Sequence, residues 1–161
     1  MTITRKQAME LIEAAVDYAE RHSYMVSAAV VDEGGNEIAT VRMDGAKFLS
    51  PSIARAKAVT SSAFRNNSAK VEGSTESKTV FYTGVSLIRS GELAIGQGAC
   101  PVWEDDELIG ALGVSGLAPE RDEEVVLSAL SVCGYPTSPS DKAALSAQGF
   151  SGPVPSGGPG S

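Results

Sequence analysis

The chain has 161 residues and a formal net charge of −7, and 42% of its residues are hydrophobic. This length favours one domain, and this composition is typical of a globular protein. Because the chain is acidic and has no dense Lys/Arg cluster, the sequence argues against nucleic-acid and anionic-membrane partners. No apolar run approaches the roughly 20 residues of a membrane span and no signal-peptide pattern begins the chain, so we expect a cytoplasmic protein.

The first predicted element is a helix that starts after Thr4. Thr4 and Gln7 form a capping-box pattern, in which each side chain satisfies a free backbone N–H group. Apolar residues follow at helical spacing and give a single stripe. We expect the helix to end near Arg21–Ser23, which places His22, the only histidine, at its C-terminus.

A β-hairpin is predicted next. Residues 25–31 form an apolar run rich in β-branched side chains, which is typical of a buried strand. Residues 32–36, with the sequence DEGGN, are predicted to form the turn, and residues 37–43 the return strand. Because side chains alternate along a strand, Arg42 is expected on the face opposite Val41.

Two helices separated by a loop are predicted after the hairpin. Ser50 is the expected N-cap of the first helix, with Pro51 at its first helical position. Lys57 lies on the apolar stripe of this helix, at a position where an apolar residue is expected. Residues 66–74 are predicted to form a loop and residues 75–90 the next helix.

The last third of the domain is predicted to contain a second hairpin and a helix. CPVW and ELIGALGV are its apolar arms and EDDE is its turn, so the element order is α-β-β-α-α-β-β-α. This order indicates an α+β fold with an antiparallel sheet between helices. The final helix is expected to start at Pro119, with acidic residues that complement the helix dipole. Residues 134–161 are rich in Pro, Gly and Ser, so we predict a domain over 1–133 and a flexible tail over 134–161.

Five separated motifs carry a family resemblance. They are, in chain order, VVDEGGNEIATVRMDGA, SPSIARAKAVTSSAF, GACPV, LIGALGVSG and RDEEVV. From Thr4 to about Leu130 the chain resembles the GlcG/HbpS-like family of heme-binding and corrinoid-associated domains. The resemblance implies a profilin-like three-layer α/β/α fold with a five-stranded antiparallel sheet, assembled as a homo-oligomer of two to eight copies. It also implies a small-molecule ligand, with heme as the candidate cofactor, and an association with catabolic gene clusters.

Three charged residues around the hairpin and the second helix are the first candidates for chemistry. Desolvation of Lys57 would free its amine for base or Schiff-base chemistry. The structural alternative is that Lys57 extends its amine to the surface along apolar neighbours, or that it pairs with Asp44 or Asp32 and fastens the helix to the hairpin. Arg42 offers a planar fork for a carboxylate or propionate, and its structural alternative is a pair with Asp44 or Asp122. We predict that Arg42, Asp44 and Lys57 line one edge of a pocket.

A histidine and a small-residue segment form the second set of candidates. His22 is the one imidazole available as an iron or cobalt ligand, and its alternative is an exposed residue that favours the helix dipole. Gly98, Ala99 and Pro101 form a predicted lip whose backbone a ligand could approach closely. Cys100 within the lip is either a nucleophile or a small core residue.

Three functions are compatible with these patterns. The first is a binding module for heme, another tetrapyrrole or a flat anionic molecule, with Arg42 and Lys57 at its carboxylates and His22 at a metal. The second is a cofactor-free enzyme acting on a small organic acid or aromatic catabolite. In that case Lys57 is the base or imine former, Arg42 clamps a carboxylate and Asp44 orients the lysine. The third is an accessory subunit whose charges serve only an interface.

Overall fold

The computed structural model describes residues 1–74 and 78–139. Its helices are α1 (Arg5–Arg21), α2 (Ser50–Phe64), α3 (Ser68–Gly73), α4 (Thr79–Ile88) and α5 (Pro119–Cys133). Its strands are β1 (Ser27–Asp32), β2 (Glu37–Arg42), β3 (Ala99–Glu104) and β4 (Glu107–Ser115). The first residues of the predicted third helix and most of the predicted tail lie outside the described residues.

The described strands form one antiparallel sheet in the order β2-β1-β4-β3. The α+β class is therefore confirmed, but the expected fifth strand is wrong for the part of the chain that the structure describes. The extended segment before β3 makes its backbone hydrogen bonds elsewhere. Ala94 N–H donates to the Ala56 carbonyl of α2 at 3.3 Å, and Gln97 N–H donates to the Glu72 carboxylate at 3.0 Å. These groups are consequently not available to a sheet edge.

Helices cover both faces of the sheet. Side chains such as Val30 and Leu112 point to one face and pack against α1 and α5. Their neighbours Val31 and Ala111 point to the other face and pack against Val59 of α2. The alternation along each strand thus separates the two helical layers. Within the described residues, no helix is both long enough and apolar enough to cross a bilayer.

Side-chain caps begin α1 and α3. Thr4 accepts a hydrogen bond from Gln7 N–H at 3.2 Å and the Gln7 side chain accepts one from Thr4 N–H at 2.9 Å, so the predicted capping box is confirmed. The prediction of a loop over residues 66–74 is wrong. The Asn67 side chain accepts from Lys70 N–H and starts a short helix whose first residue is buried.

The start of α2 also differs from the prediction. Leu49, and not Ser50, is the N-cap, and it provides no side-chain hydrogen bond. The Ser50 hydroxyl is turned inward instead, where it donates to the Lys47 carbonyl at 2.7 Å and lies 2.8 Å from the Ser27 hydroxyl of β1. Ser50 therefore joins α2 to the sheet and does not cap the helix.

Candidate functional site

Antiparallel pairing brings distant segments to one end of the sheet, where β1 and β3 begin and β2 and β4 end. We call this the site end. Ser27 of β1 pairs with Arg42 on one side and with Ser115 on the other. The carbonyl of Gly98, just before β3, accepts a hydrogen bond from the Val114 N–H at 2.8 Å. Two strand spacings separate Arg42 from Ser115, which amounts to about 10 Å between their backbones.

A buried ion pair lies at the site end. Lys57 Nζ is 2.9 Å from Asp122 Oδ2 and also donates to the Val114 carbonyl at 3.3 Å. The other carboxylate oxygen of Asp122 accepts the Leu117 N–H at 3.0 Å. Lys57 is 8% exposed and Asp122 is 2% exposed, so both charged groups are largely removed from water. The pair joins α2 to α5, which lie on opposite faces of the sheet.

The partner of Lys57 is not one of the two residues that the sequence suggested. The Asp32 carboxylate instead accepts hydrogen bonds from the backbone N–H groups of Gly34 and Asn36 and holds the hairpin turn. Asp44 is exposed in the loop after β2. The expectation that Lys57 fastens α2 to the hairpin is therefore corrected: the lysine fastens α2 to α5 through Asp122.

Burial raises the pKa of Asp122 above its ordinary value. The hydrogen bond and the positive charge of Lys57 act in the opposite direction, as does the N–H of Leu117. A carboxylate inside a protein costs free energy unless a cation and hydrogen-bond donors compensate it. The ionised form of Asp122 thus depends on Lys57.

The small residues of the predicted lip are buried. Gly98 has a φ of +115°, and a Cβ atom there would lie 2.7 Å from Asp122 Cβ and 3.1 Å from Lys57 Nζ. The glycine is required because the ion pair approaches the backbone closely at this point. Ala99 and Pro101, which follow in β3, have no substantial exposure either.

Cys100 is part of the core. It is fully buried, and burial raises the pKa of its thiol to about 12, with the nearby charge of Glu123 acting in the same direction. A thiol with this pKa is protonated at neutral pH, and the thiolate is the nucleophilic form. The structure therefore supports the interpretation of Cys100 as a small core residue.

Arg42 and Asp44 are exposed at the site end, where β2 forms the edge of the sheet. Arg42 lies directly across from Ser27 and shares its face, which is the face that α2 covers. Two residues earlier on that face, the buried hydroxyl of Thr40 has no hydrogen-bond partner among the described residues. Within the same residues, neither Arg42 nor Asp44 forms a hydrogen bond or ion pair with Lys57.

His22 caps the C-terminus of α1, and an unusual backbone conformation follows it. Ser23 has a φ of +57°, a left-handed conformation that glycine adopts more readily. The next residue, Tyr24, donates its N–H to the Ala19 carbonyl at 2.8 Å. This closes the helix and turns the chain back, so that the side chain of Tyr24 returns to His22.

His22 lies between two tyrosine rings on the protein surface. Its ring centroid is 4.1 Å from that of Tyr18 and 5.5 Å from that of Tyr24, with interplanar angles of 22° and 27°. The Nδ1–H of His22 donates to the Tyr18 carbonyl at 2.8 Å. This hydrogen bond selects the tautomer in which Nε2 carries the free lone pair. We call these three rings the aromatic stack.

Three successive carboxylates near the start of α5 bind side chains at three other helices. They are Asp122 with Lys57 of α2, Glu123 with Asn67 at the start of α3, and Glu124 with Tyr18 of α1. Residues on a helix follow one another at about 100°, so neighbouring side chains point to different elements. The sequence predicts a helix-dipole role for these acids and, for Asp122, a pair with Arg42 as one alternative, but it does not predict these three contacts. The signal was three consecutive acids, which cannot all share one solvated face.

The family model described as "Haem degrading protein HbpS-like" matches residues 3–131. The chain belongs to the HbpS-like family. The resemblance stated from the motifs is therefore confirmed. Among curated relatives of this HbpS-like chain, Protein GlcG of Escherichia coli K12 is 31% identical over 113 residues, which cover 70% of the chain and 81% of GlcG.

A longer relative shares only a part with this chain. The corrinoid adenosyltransferase PduO of Salmonella typhimurium is 30% identical over 116 residues, or 72% of the chain, but the HbpS-like chain spans only 34% of PduO. Two solved structures resemble the fold more completely. The crystal structure of a complex of PduOC with heme has a TM-score of 0.77 at 27% identity. The alignment covers 86% of this chain and 99% of the PduOC chain. The crystal structure of HbpS has a TM-score of 0.73 at 26% identity, and the alignment covers 82% of this chain and 90% of the HbpS chain.

Proposed function

We propose that this chain binds a tetrapyrrole, with heme as the first candidate and His22 as its iron ligand. The observation that carries the proposal is the hydrogen bond from His22 Nδ1–H to the Tyr18 carbonyl. Histidines that ligate metals characteristically donate the other ring N–H to a carbonyl or carboxylate, which fixes the ring and presents the free nitrogen. The solved complex of PduOC with heme, at 27% identity, supports the choice of ligand.

The donor chemistry around His22 fits a heme group held at the protein surface. Imidazole nitrogen is a common axial ligand of heme iron, and the two tyrosine rings restrict the orientation of the imidazole. When bound, heme would supply an iron centre for ligand binding and electron transfer. The chain itself would contribute an oriented nitrogen atom and flat apolar ring edges around it.

Glu124 holds the aromatic stack in place from α5. It accepts a hydrogen bond from the Tyr18 hydroxyl and another from Arg121 at 2.9 Å. These two donors hold the pKa of Glu124 below its ordinary value, whereas the same contact raises the pKa of Tyr18. The Tyr18 ring is thereby fixed at both its hydroxyl and its backbone, and His22 stacks on a rigid support.

Arg42 is our proposed partner for the carboxylates of the ligand. Its guanidinium is exposed at the site end, and its planar fork suits a propionate group. Lys57, the other predicted carboxylate partner, already donates to Asp122 and to the Val114 carbonyl. We therefore assign Lys57 to the support of the site and Arg42 to the ligand.

The proposal is tested by titrating the purified full chain with hemin and recording the visible spectrum. We expect an intense band at one hemin per chain, with its position typical of histidine ligation. His22→Ala should lose this band, and Arg42→Ala should weaken hemin binding about tenfold, or roughly 1.4 kcal/mol. Arg5→Ala is the matched charge control. Arg5 is exposed at the N-terminal end of α1, about 25 Å along the helix from His22.

The possible results test the identity of the ligand and the roles of His22 and Arg42 separately. No saturable hemin band with the wild-type chain would overturn heme as the ligand. An unchanged band in His22→Ala would overturn the role of His22. Equal effects of Arg42→Ala and Arg5→Ala would show that hemin responds only to net charge, and that Arg42 is not its partner.

A cofactor-free enzyme is the second candidate, and one observation favours it. Lys57 is 8% exposed and contacts an acid whose pKa burial raises, which is an environment typical of functional lysines. As an imine former, Lys57 would be trapped by borohydride in the presence of a small aldehyde or keto acid. Mass spectrometry would then find the adduct on the peptide that contains Lys57. Absence of that adduct across a panel of carbonyl compounds would exclude imine formation.

A further inference from the structure

A surface cavity of about 360 Å³ lies between α3, α4 and the extended segment that precedes β3. Small-molecule sites have volumes of roughly 300–1,000 Å³, so this cavity is large enough for a small ligand. Its lining includes neither His22 nor Lys57, so it is separate from the aromatic stack and the buried ion pair. We call it the hydroxyl cavity, because three hydroxyl groups of α4 line it.

The hydroxyl groups belong to one side of α4. Tyr82, Thr83 and Ser86 are separated by three or four residues or are adjacent, so they lie within about 100° of one another around the helix. The Tyr82 ring packs against Phe64 of α2 with ring centroids 5.4 Å apart. This contact holds the hydroxyl-bearing side of α4 towards the domain.

The extended segment provides an apolar wall opposite α4. Ala94 donates its N–H to the Ala56 carbonyl at 3.3 Å, and its own carbonyl accepts the Thr60 hydroxyl at 3.0 Å. Both backbone groups of Ala94 are thus fixed to α2. Because side chains alternate along an extended chain, Leu93 and Ile95 share one side of the segment, and both line the cavity.

The three hydroxyl groups have already donated their hydrogen atoms within the protein. The Thr83 hydroxyl donates to the carbonyl four residues earlier at 2.9 Å, and the Ser86 hydroxyl donates to the Thr83 carbonyl at 2.8 Å. The Ser74 hydroxyl donates to the backbone of α3 at 2.7 Å, so Tyr82 is the donor in the 2.6 Å contact between the two hydroxyls. A hydroxyl has one hydrogen and two lone pairs. The three oxygens therefore offer a ligand lone pairs and no hydrogen.

A carboxylate adds negative charge to the same cavity. Glu72 lies at the end of α3, and its Oε2 accepts the Gln97 N–H at 3.0 Å. Among the described residues that line the cavity there is no lysine, arginine or histidine. The whole chain also has a net charge of −7, which attracts cations and repels anions. The charge and the lone pairs thus favour a cation that carries N–H donors.

We propose that the hydroxyl cavity binds a small primary ammonium ion with a short apolar chain. An ammonium group has three donors and no acceptor, which complements the hydroxyl oxygens of α4 and the charge of Glu72. The apolar chain would lie against Leu93 and Ile95. A carboxylate of the same size would meet acceptors and a like charge, and an alcohol would lack the electrostatic attraction. The proposal is independent of heme binding, because the cavity shares no residue with the proposed tetrapyrrole site.

The test titrates the labelled full chain with butylammonium chloride at neutral pH and constant chloride, followed by amide NMR spectra. An alkyl amine with a pKa near that of lysine, about 10.4, is fully charged under these conditions. We expect the amides of Thr83, Ser86 and Gln97 to shift and to saturate. Butanol and sodium butyrate have the same apolar chain with a neutral or an anionic head group, and each should bind at least about tenfold more weakly.

Two variants test the assigned contacts. Thr83→Val removes one acceptor with little change of shape or helix propensity, and Glu72→Gln removes the charge but keeps an oxygen for the Gln97 N–H. Each should weaken butylammonium binding about tenfold, as expected for a hydrogen bond to a charged group. Thr137→Val and Glu13→Gln are the matched controls, because both residues are exposed outside the cavity. Circular dichroism should show the same unfolding midpoint for Thr83→Val as for wild type.

Three results would overturn the proposal. The first is the lack of a saturable shift at the cavity amides with butylammonium. The second is binding of butyrate or butanol as tight as that of butylammonium, which would leave the charge and the lone pairs without a role. The third is an unchanged affinity in the folded Thr83→Val and Glu72→Gln variants, which would place the ammonium ion elsewhere on the acidic surface.

Discussion

Lys57 and Asp122 form a buried ion pair with 2.9 Å between Nζ and Oδ2, and they connect helices on opposite faces of the sheet. The contact passes around the end of the sheet, next to Gly98, and does not cross it. Since each charge is desolvated, each depends on the other. This relationship makes the pair the most sensitive point of the site end.

Removal of the lysine charge should destabilise the protein strongly. We expect Lys57→Met to lower the free energy of unfolding by about 3 kcal/mol, because it leaves the Asp122 carboxylate buried without a cation. Urea denaturation followed by circular dichroism measures this loss. The double variant Lys57→Met/Asp122→Leu should recover most of it. A double variant no more stable than Lys57→Met would contradict this explanation.

The effect of Lys57→Met should depend on pH. Burial raises the pKa of Asp122 in the folded chain, and loss of Lys57 removes the main influences that lower it. A folded-state pKa above the unfolded value means that the folded chain retains a proton that the unfolded chain has released. Stability is therefore greatest below the unfolded pKa and falls as pH rises through the folded pKa. The loss in Lys57→Met should be smaller near pH 4 than at neutral pH, and Lys57→Met/Asp122→Leu should lack this difference.

A side chain at residue 98 should not be tolerated. In Gly98→Ala the new methyl group would lie 2.7 Å from Asp122 Cβ, at a backbone φ of +115°. We expect a loss of about 2–3 kcal/mol in the free energy of unfolding. Gly96→Ala is the control, since its methyl group would meet Lys57 at an ordinary 3.7 Å. Similar losses in the two variants would mean that the segment is sensitive for another reason.

Cys100 should not react with thiol reagents in the folded protein. Its thiol has a pKa of about 12, so its thiolate fraction is about a thousandfold below that of an ordinary cysteine. Labelling with iodoacetamide at mildly alkaline pH, followed by peptide mass spectrometry, should modify Cys100 only after denaturation. Rapid labelling of Cys100 in the native chain would show that the site end opens.

Elements with local signals could be predicted from the sequence. The hairpin of β1 and β2 follows from two apolar runs around a glycine-containing turn, and α1 follows from its capping box and stripe. Helix α3 could not be predicted in this way, because it is too short to show a period. It depends on the Asn67 cap and on burial of Ser68 and Val71. The fifth strand came from the resemblance and not from any pattern in the residues.

The candidate site was predictable in its residues but not in its pairings. Lys57 stood out because a lysine interrupted an apolar stripe. Its partner Asp122 is 65 positions further along the chain, and only the tertiary structure brings the two helices together. His22 was identified because it is the one histidine. Its two stacked tyrosines depend on the left-handed Ser23, whose conformation has no signal in a single sequence.

The three carboxylates near the start of α5 restrict the number of residues that can connect β4 to them. Asp122, Glu123 and Glu124 each meet a side chain at a different helix, so the rotation of α5 about its own axis is fixed by three contacts at once. Deletion of one residue between Pro119 and Asp122 would turn all three by about 100° and bring the wrong acid to each partner. The connection from β4 into α5 should therefore tolerate substitution of its exposed residues far better than any change in its length.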